Sequence, residues 1–141
     1  MMEEVKPEQD YINKLNEYDR VANALPKNYD RLIYEIDHFL FGAQMLFEIG
    51  TELVIIANEL VKTALKGYEF ELSQQINKLK HENTSVSILK DMAKAACQKE
   101  KNELYDMENL QSKARLLREM AHEKLQTYKK IKHDNINERN S

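Results

Sequence analysis

Residues 86–133 read VSILKDMAKAACQKEKNELYDMENLQSKARLLREMAHEKLQTYKKIKH, without a single glycine or proline. Nothing in that run stops a helix, so it predicts one uninterrupted rod. At 1.5 Å of rise per residue it would span roughly 70 Å. That is too long for a compact globule of 141 residues. The expected class is therefore all-α: a helical bundle or hairpin with a long C-terminal coiled-coil helix.

The apolar pattern supports this reading. Met107, Leu110, Ala114, Leu117, Ala121, Lys124, Tyr128 and Ile131 follow one another at intervals of three and four, the spacing of a coiled-coil seam. Only Lys124 interrupts the series. Upstream the seam runs through Leu89, Ala93 and Ala96, meets Glu100 and resumes at Leu104. That is a stutter, where a supercoil locally unwinds. A seam this long needs a cover, and the shorter segments before it reach only part of it. Met107, Leu110, Ala114, Leu117, Ala121, Tyr128 and Ile131 are thus expected to meet a second copy in a homo-oligomer.

Before the rod, His81–Ser85 forms the clearest polar loop, and Thr84 or Ser85 can cap the following helix. A first helix carries the stripe Tyr11, Leu15, Tyr18, Ala22, Leu25 and stops at Pro26, which disfavours helical backbone in the residue before it. A second begins near Asn28 as N-cap. Its apolar positions, from Leu32 to Ile49, cover much of the circumference and mark the most buried segment. Gly50-Thr51 is the best candidate for a break before a third helix. A single long helix is the alternative, since a lone glycine costs only about 1 kcal/mol. Residues 1–7 and 134–141 are polar and expected to be disordered. The whole chain, 1–141, is expected to be one helical domain.

Composition agrees. Three glycines and two prolines are too few for a turn-rich β fold or a glycine-rich phosphate loop. Hydrophobic residues make up 42% and charged residues 32%, which suits long amphipathic helices. The net charge of −3 hides an asymmetry. Residues 1–83 hold nine Lys/Arg against fifteen Asp/Glu, whereas residues 84–141 hold twelve against nine. The contrast can guide docking of like chains or draw a polyanion to one end. The one cysteine, Cys97, has no partner for an internal disulfide and points to a reducing, cytoplasmic setting. It reads as a small apolar residue among Ala93, Ala95 and Ala96 rather than a nucleophile. The acidic start lacks a signal-peptide pattern. The longest stretch without Asp, Glu, Lys or Arg, His38–Phe47, is far short of a bilayer span, so no membrane partner is expected.

Motifs for chemistry are sparse. Glu35/His38 and Glu119/His122 have the Glu-x-x-His spacing that helical bundles use to hold metal pairs. Heptad phase turns Glu119 and His122 to solvent, so surface pairs are the better reading. Arg31…His38 and Arg115…His122 resemble the loose arginine–histidine signature of HEPN-type ribonucleases, which would use phosphate stabilisation and acid–base work. Solvated helix faces explain the same spacing. No catalytic, cofactor or metal residue is assigned, and an enzyme is not expected. The more informative feature is a basic stripe: Lys113, Arg115, Arg118, Lys124, Lys129, Lys130, Lys132 and His133, with Tyr128 among them. Lys113, Arg115, Arg118, Lys129, Lys130 and Lys132 are the candidate nucleic-acid contacts. Cations at a helix C-terminus also stabilise the helix itself.

The run Ser85-Val86-Ser87-Ile88-Leu89-Lys90-Asp91-Met92-Ala93-Lys94, followed by Leu116-Leu117-Arg118-Glu119 and Leu125-Gln126-Thr127-Tyr128-Lys129-Lys130-Ile131, resembles small helical proteins of bacteriophages and prophages. Some of these are similar to UvsY-type recombination mediators, which load a recombinase onto single-stranded DNA. The resemblance covers roughly residues 67–131. It implies an oligomer presenting basic residues to single-stranded DNA and helical faces to protein partners, in the host cytoplasm if the chain is of phage origin. The acidic first half departs from that pattern. The expected function is a non-enzymatic, self-associating interaction or assembly protein. The alternative is a nucleic-acid-handling accessory that binds single-stranded DNA and a recombinase.

Overall fold

In the computed structural model the described residues are 7–80 and 85–140, and they form five helices with no strand among them. These are α1 (Pro7–Ala24), α2 (Tyr29–Tyr34), α3 (Ile36–Leu79), α4 (Val86–Ala96) and α5 (Gln98–Asn140). The all-α class read from the sequence is what the chain adopts. The polar loop over 81–84 and the tail 1–6 lie outside the described residues. Pro7 is the first residue of α1, a position where its missing N–H costs nothing.

Three boundaries differ from the sequence reading. The break expected at Gly50-Thr51 is absent, and α3 runs on as one helix of 44 residues. The Thr51 hydroxyl donates back to the Phe47 carbonyl at 3.0 Å within the same helix. The interruption sits instead at Glu35, between α2 and α3, where backbone bonds still bridge it: Glu35 N–H to Arg31 and Phe39 N–H to Glu35. The uninterrupted rod is likewise divided, at Cys97. The Cys97 N–H is shared between the Ala93 and Lys94 carbonyls, and the Lys101 N–H resumes the ladder on Cys97. The buried stripe there is Leu89, Ala93, Cys97, not Ala96. Two steps of four overshoot the heptad, and the local tightening absorbs the slip. Finally, α5 continues through 134–140, where a disordered tail was expected. Of the two cap expectations, Asn28 Oδ1 accepts from the Asp30 N–H at 2.9 Å. Ser85 occupies the α4 cap position without a side-chain bond.

The chain was expected to be one domain; its packing gathers into two compact units. The first comprises residues 1–56 and 112–141, the second residues 57–111. In the first, three helical segments pack together. Segment α1 contributes Tyr11 and Tyr18, and Leu25 just after it continues the stripe; the three are seven residues apart and all buried. Segment α3 contributes Ile36, Phe39, Ala43, Leu46, Ile49 and Leu53; α5 contributes Ala114, Ala121, Leu125 and Tyr128. Contacts set the directions. Lys14 of α1 pairs with Glu52, and Leu25 meets Gly42, so α1 and α3 run antiparallel. Asp37 pairs with Lys132, and Gly50 meets Arg118, so α3 and α5 are antiparallel too. The Tyr18 hydroxyl donates to the Leu117 carbonyl at 2.7 Å, tying α1 to α5. In the second unit Ala57, Leu60, Leu89, Ala93 and Cys97 are buried, and Gln111 donates to Asn58 at 2.8 Å.

Helix α3 contains an 18-residue window of mean hydropathy 1.6 with at most two charged side chains. By length and composition alone it is apolar enough to cross a membrane, although its charge-free run is short. Within the bundle 33% of that window is buried.

Two glycines of α3 make opposite predictions. A Cβ at Gly50 would stand 3.0 Å from the Arg118 Cα, a backbone atom that cannot step aside. Gly50→Ala should therefore lower stability by about 1–3 kcal/mol despite its better helix propensity. Gly67 has nothing within 4 Å of such a Cβ. Gly67→Ala should raise stability by about 0.5–1 kcal/mol in chemical denaturation. A second prediction concerns alkaline pH. Burial holds the Tyr11, Tyr18 and Tyr128 hydroxyls above their ordinary value, Tyr18 with a further push from Asp19. Their contribution is complete below about pH 10, the unfolded value, and is lost as pH rises through the folded values. Melting temperature should fall above that pH. The fall should be shallower in Tyr128→Phe, which removes one of these hydroxyls.

Candidate interaction surface

The residues expected to form a seam with a second chain are partly covered within this one. Ala114, Ala121 and Tyr128 are buried, while Met107, Leu110, Leu117 and Ile131 are half-buried. Leu125, not Lys124, continues the buried stripe, and Lys124 is exposed. In the first unit the physical reason is plain. Segments α1 and α3 both lie against α5, so the apolar side of α5 has two neighbours from its own chain and is consumed by them.

The opposite side of α3 is open, as are Leu116 and Met120 on the outer side of α5. Phe41 is 67% exposed and Ile55 58%, with Met45 also exposed. Their spacings of four and ten residues place them along one face. Glu48 and Glu52 stand between Met45 and Ile55 on that face, and Glu52 is engaged by Lys14. The hydrogen bond that Lys14 donates to Glu52 is the largest of the effects that hold its amine above the ordinary value. The apolar stripe read from the sequence includes none of Phe41, Met45 and Ile55, and reading the segment up to Ile49 as the most buried one gave no sign of a bare face.

The basic stripe is scattered by the helix. Lys113, Arg115, Arg118, Lys129 and Lys130 are exposed. None of the five has an ion pair among the described residues, whereas Lys132 is paired with Asp37 at 2.6 Å. Lys132 lines a cleft of about 320 Å³ with Tyr34, Asp37, His38 and Ile136. Arg118 is held in place: its guanidinium carbon lies 5.5 Å from the centroid of the Phe47 ring. The His122 ring lies 5.4 Å from the same ring.

The two histidines of the Glu-x-x-His and Arg-x6-His spacings are not brought together. His122 faces Phe47, while His38 packs on Phe39, with Arg31 on the same ring. Phe47 and His38 are nine residues apart on α3, about 14 Å along the axis. Arg31 is also drawn to Glu35 at 3.6 Å. Among the described residues no three His, Cys, Asp or Glu side chains gather as metal ligands. Cys97 is fully buried. Burial first, then the charges of Glu100 and Glu71, pushes its thiol above the ordinary value, so it stays protonated and unreactive.

Comparison with protein-family models, with curated proteins and with solved structures finds no match for this chain.

Proposed function

We propose that this chain is a non-enzymatic helical interaction protein that assembles with like chains, or with another helical partner, through the outer face of α3. The observation that carries the reading is the exposure of Phe41 and Ile55 on a helix whose inner face is already spent on the core. Burying those two side chains against a partner would contribute about 2 kcal/mol each. Coiled-coil geometry between chains, in this reading, belongs to α3 and not to the α5 seam. The bundle core takes up the other side of α3, so the reading requires no bilayer. The single cysteine and the resemblance to phage helical proteins support a cytoplasmic setting, that of the host for a phage chain.

Light scattering tests the reading. The wild-type mass should exceed the 16.6 kDa of one chain and rise with concentration. Phe41→Glu with Ile55→Glu should return it to one chain while leaving the helical circular dichroism in place. A wild-type mass of one chain at every concentration would remove self-association.

The unpaired cations of α5 support a second reading, a nucleic-acid-handling accessory such as a recombination mediator. Five of the six candidate contacts are exposed and lack an acid partner among the described residues. Labelled single-stranded oligonucleotide should then bind at low salt and be released steeply as salt rises. Lys129→Glu with Lys130→Glu should weaken binding at least tenfold. No binding at low salt would eliminate this reading.

A further inference from the structure

We infer that one flank of α5, the row Arg115, Arg118, His122 and Lys129 backed by Phe47 of α3, is the contact surface for single-stranded nucleic acid. This rests on the nucleic-acid reading above and narrows it to one face. Steps of three, four and seven residues put the four side chains on one side of the helix. The row is about 21 Å long. Lys113 and Lys124, eleven residues apart, share a different face, Lys130 stands away from the row, and Lys132 is neutralised by Asp37.

Position alone does not make a binding surface; the second observation is how Arg118 is held. Phe47 lies beneath its guanidinium at 5.5 Å, and His122 flanks the same ring. A planar cation already backed by an aromatic ring loses little freedom on binding. Its other face suits a nucleobase, because bases stack on guanidinium planes. Bases inside a duplex are already stacked, so this arrangement selects a single strand. Arg115 and Lys129 on either side of it meet the phosphates. The acids nearby limit the track. Glu119 follows Arg115 by one turn without an ion pair to it, Glu48 follows Phe47 on α3, and both repel a polyanion. They confine the strand to the row.

The experiment is fluorescence anisotropy of a labelled oligothymidine with the full chain, over a salt series, with circular dichroism to check folding. Three permanent cations, at about 0.7 each for a single strand, give a slope of log K against log salt of about −2. Arg115→Gln with Arg118→Gln and Lys129→Gln should abolish the salt-dependent binding. Lys113→Gln with Lys130→Gln should leave it within about twofold. Glu119→Gln should tighten it. Phe47→Leu should weaken it several-fold with the slope little changed, since no charge is lost and Phe47 acts through Arg118. Equal losses in the two lysine and arginine sets would overturn the row while leaving the nucleic-acid reading standing. Equal affinity for duplex would overturn the single-strand assignment. A change in molecular mass of the triple variant, with oligonucleotide binding intact, would mean that the row contacts a second copy, and the inference fails. No binding by the wild type at low salt would end both the row and the broader reading.

Discussion

At Gly50 the backbone of α3 comes against the backbone of α5 at Arg118, so close that an added Cβ would stand 3.0 Å from the Arg118 Cα. The remaining packing of the first unit follows from that approach. Ala114 and Ala121, both fully buried, keep the facing side of α5 equally thin. With the two helices this near, the Tyr18 hydroxyl of α1 can reach the Leu117 carbonyl, and Phe47 can sit under Arg118. Small residues at a helix contact contribute little transfer energy themselves. They set the separation at which larger ones, such as Leu46, Leu53 and Leu125, exclude water.

The same packing redistributes the apolar surface. A stripe that would otherwise have to meet another chain is closed by two helical segments of its own. The unsatisfied surface moves to the far side of α3, where Phe41, Met45 and Ile55 face outward beside Glu48 and Glu52. In the proposed assembly, self-association and internal packing would use different faces of the molecule. Such an assembly would keep its fold on dissociating, because the bundle core is formed within one chain.

The charges are sorted by the same geometry. Ion pairs that bridge helices, Lys14 with Glu52 and Lys132 with Asp37, are partly exposed to solvent and contribute about 0–1 kcal/mol each. Their larger effect is to remove two lysines from the pool available to a ligand. Of the α5 cations without an ion pair among the described residues, only Arg118 lies on an aromatic ring. A basic half that looked diffuse along the chain becomes one oriented group and several solvated lysines.

By itself the sequence determined the helical class, the first helix and its buried tyrosines, the Asn28 cap and the boundary at Pro26. These follow from local physics: proline geometry, capping groups and a period of 3.6 residues act within a few residues of themselves. Of the α5 seam read from the sequence, Ala114, Ala121 and Tyr128 are buried, while Leu125 takes the place that the spacing gave to Lys124. Only the tertiary structure decided what covers that seam, because periodicity marks a buried face without saying which helix buries it. Likewise Gly50 reads as a break in one dimension and as a contact in three, since glycine's missing side chain serves either purpose until a neighbour arrives. Which lysines are free, and which face of α3 is bare, depend on contacts between residues far apart in the chain, 38 positions for Lys14 and Glu52 and 95 for Asp37 and Lys132. No local pattern carries those.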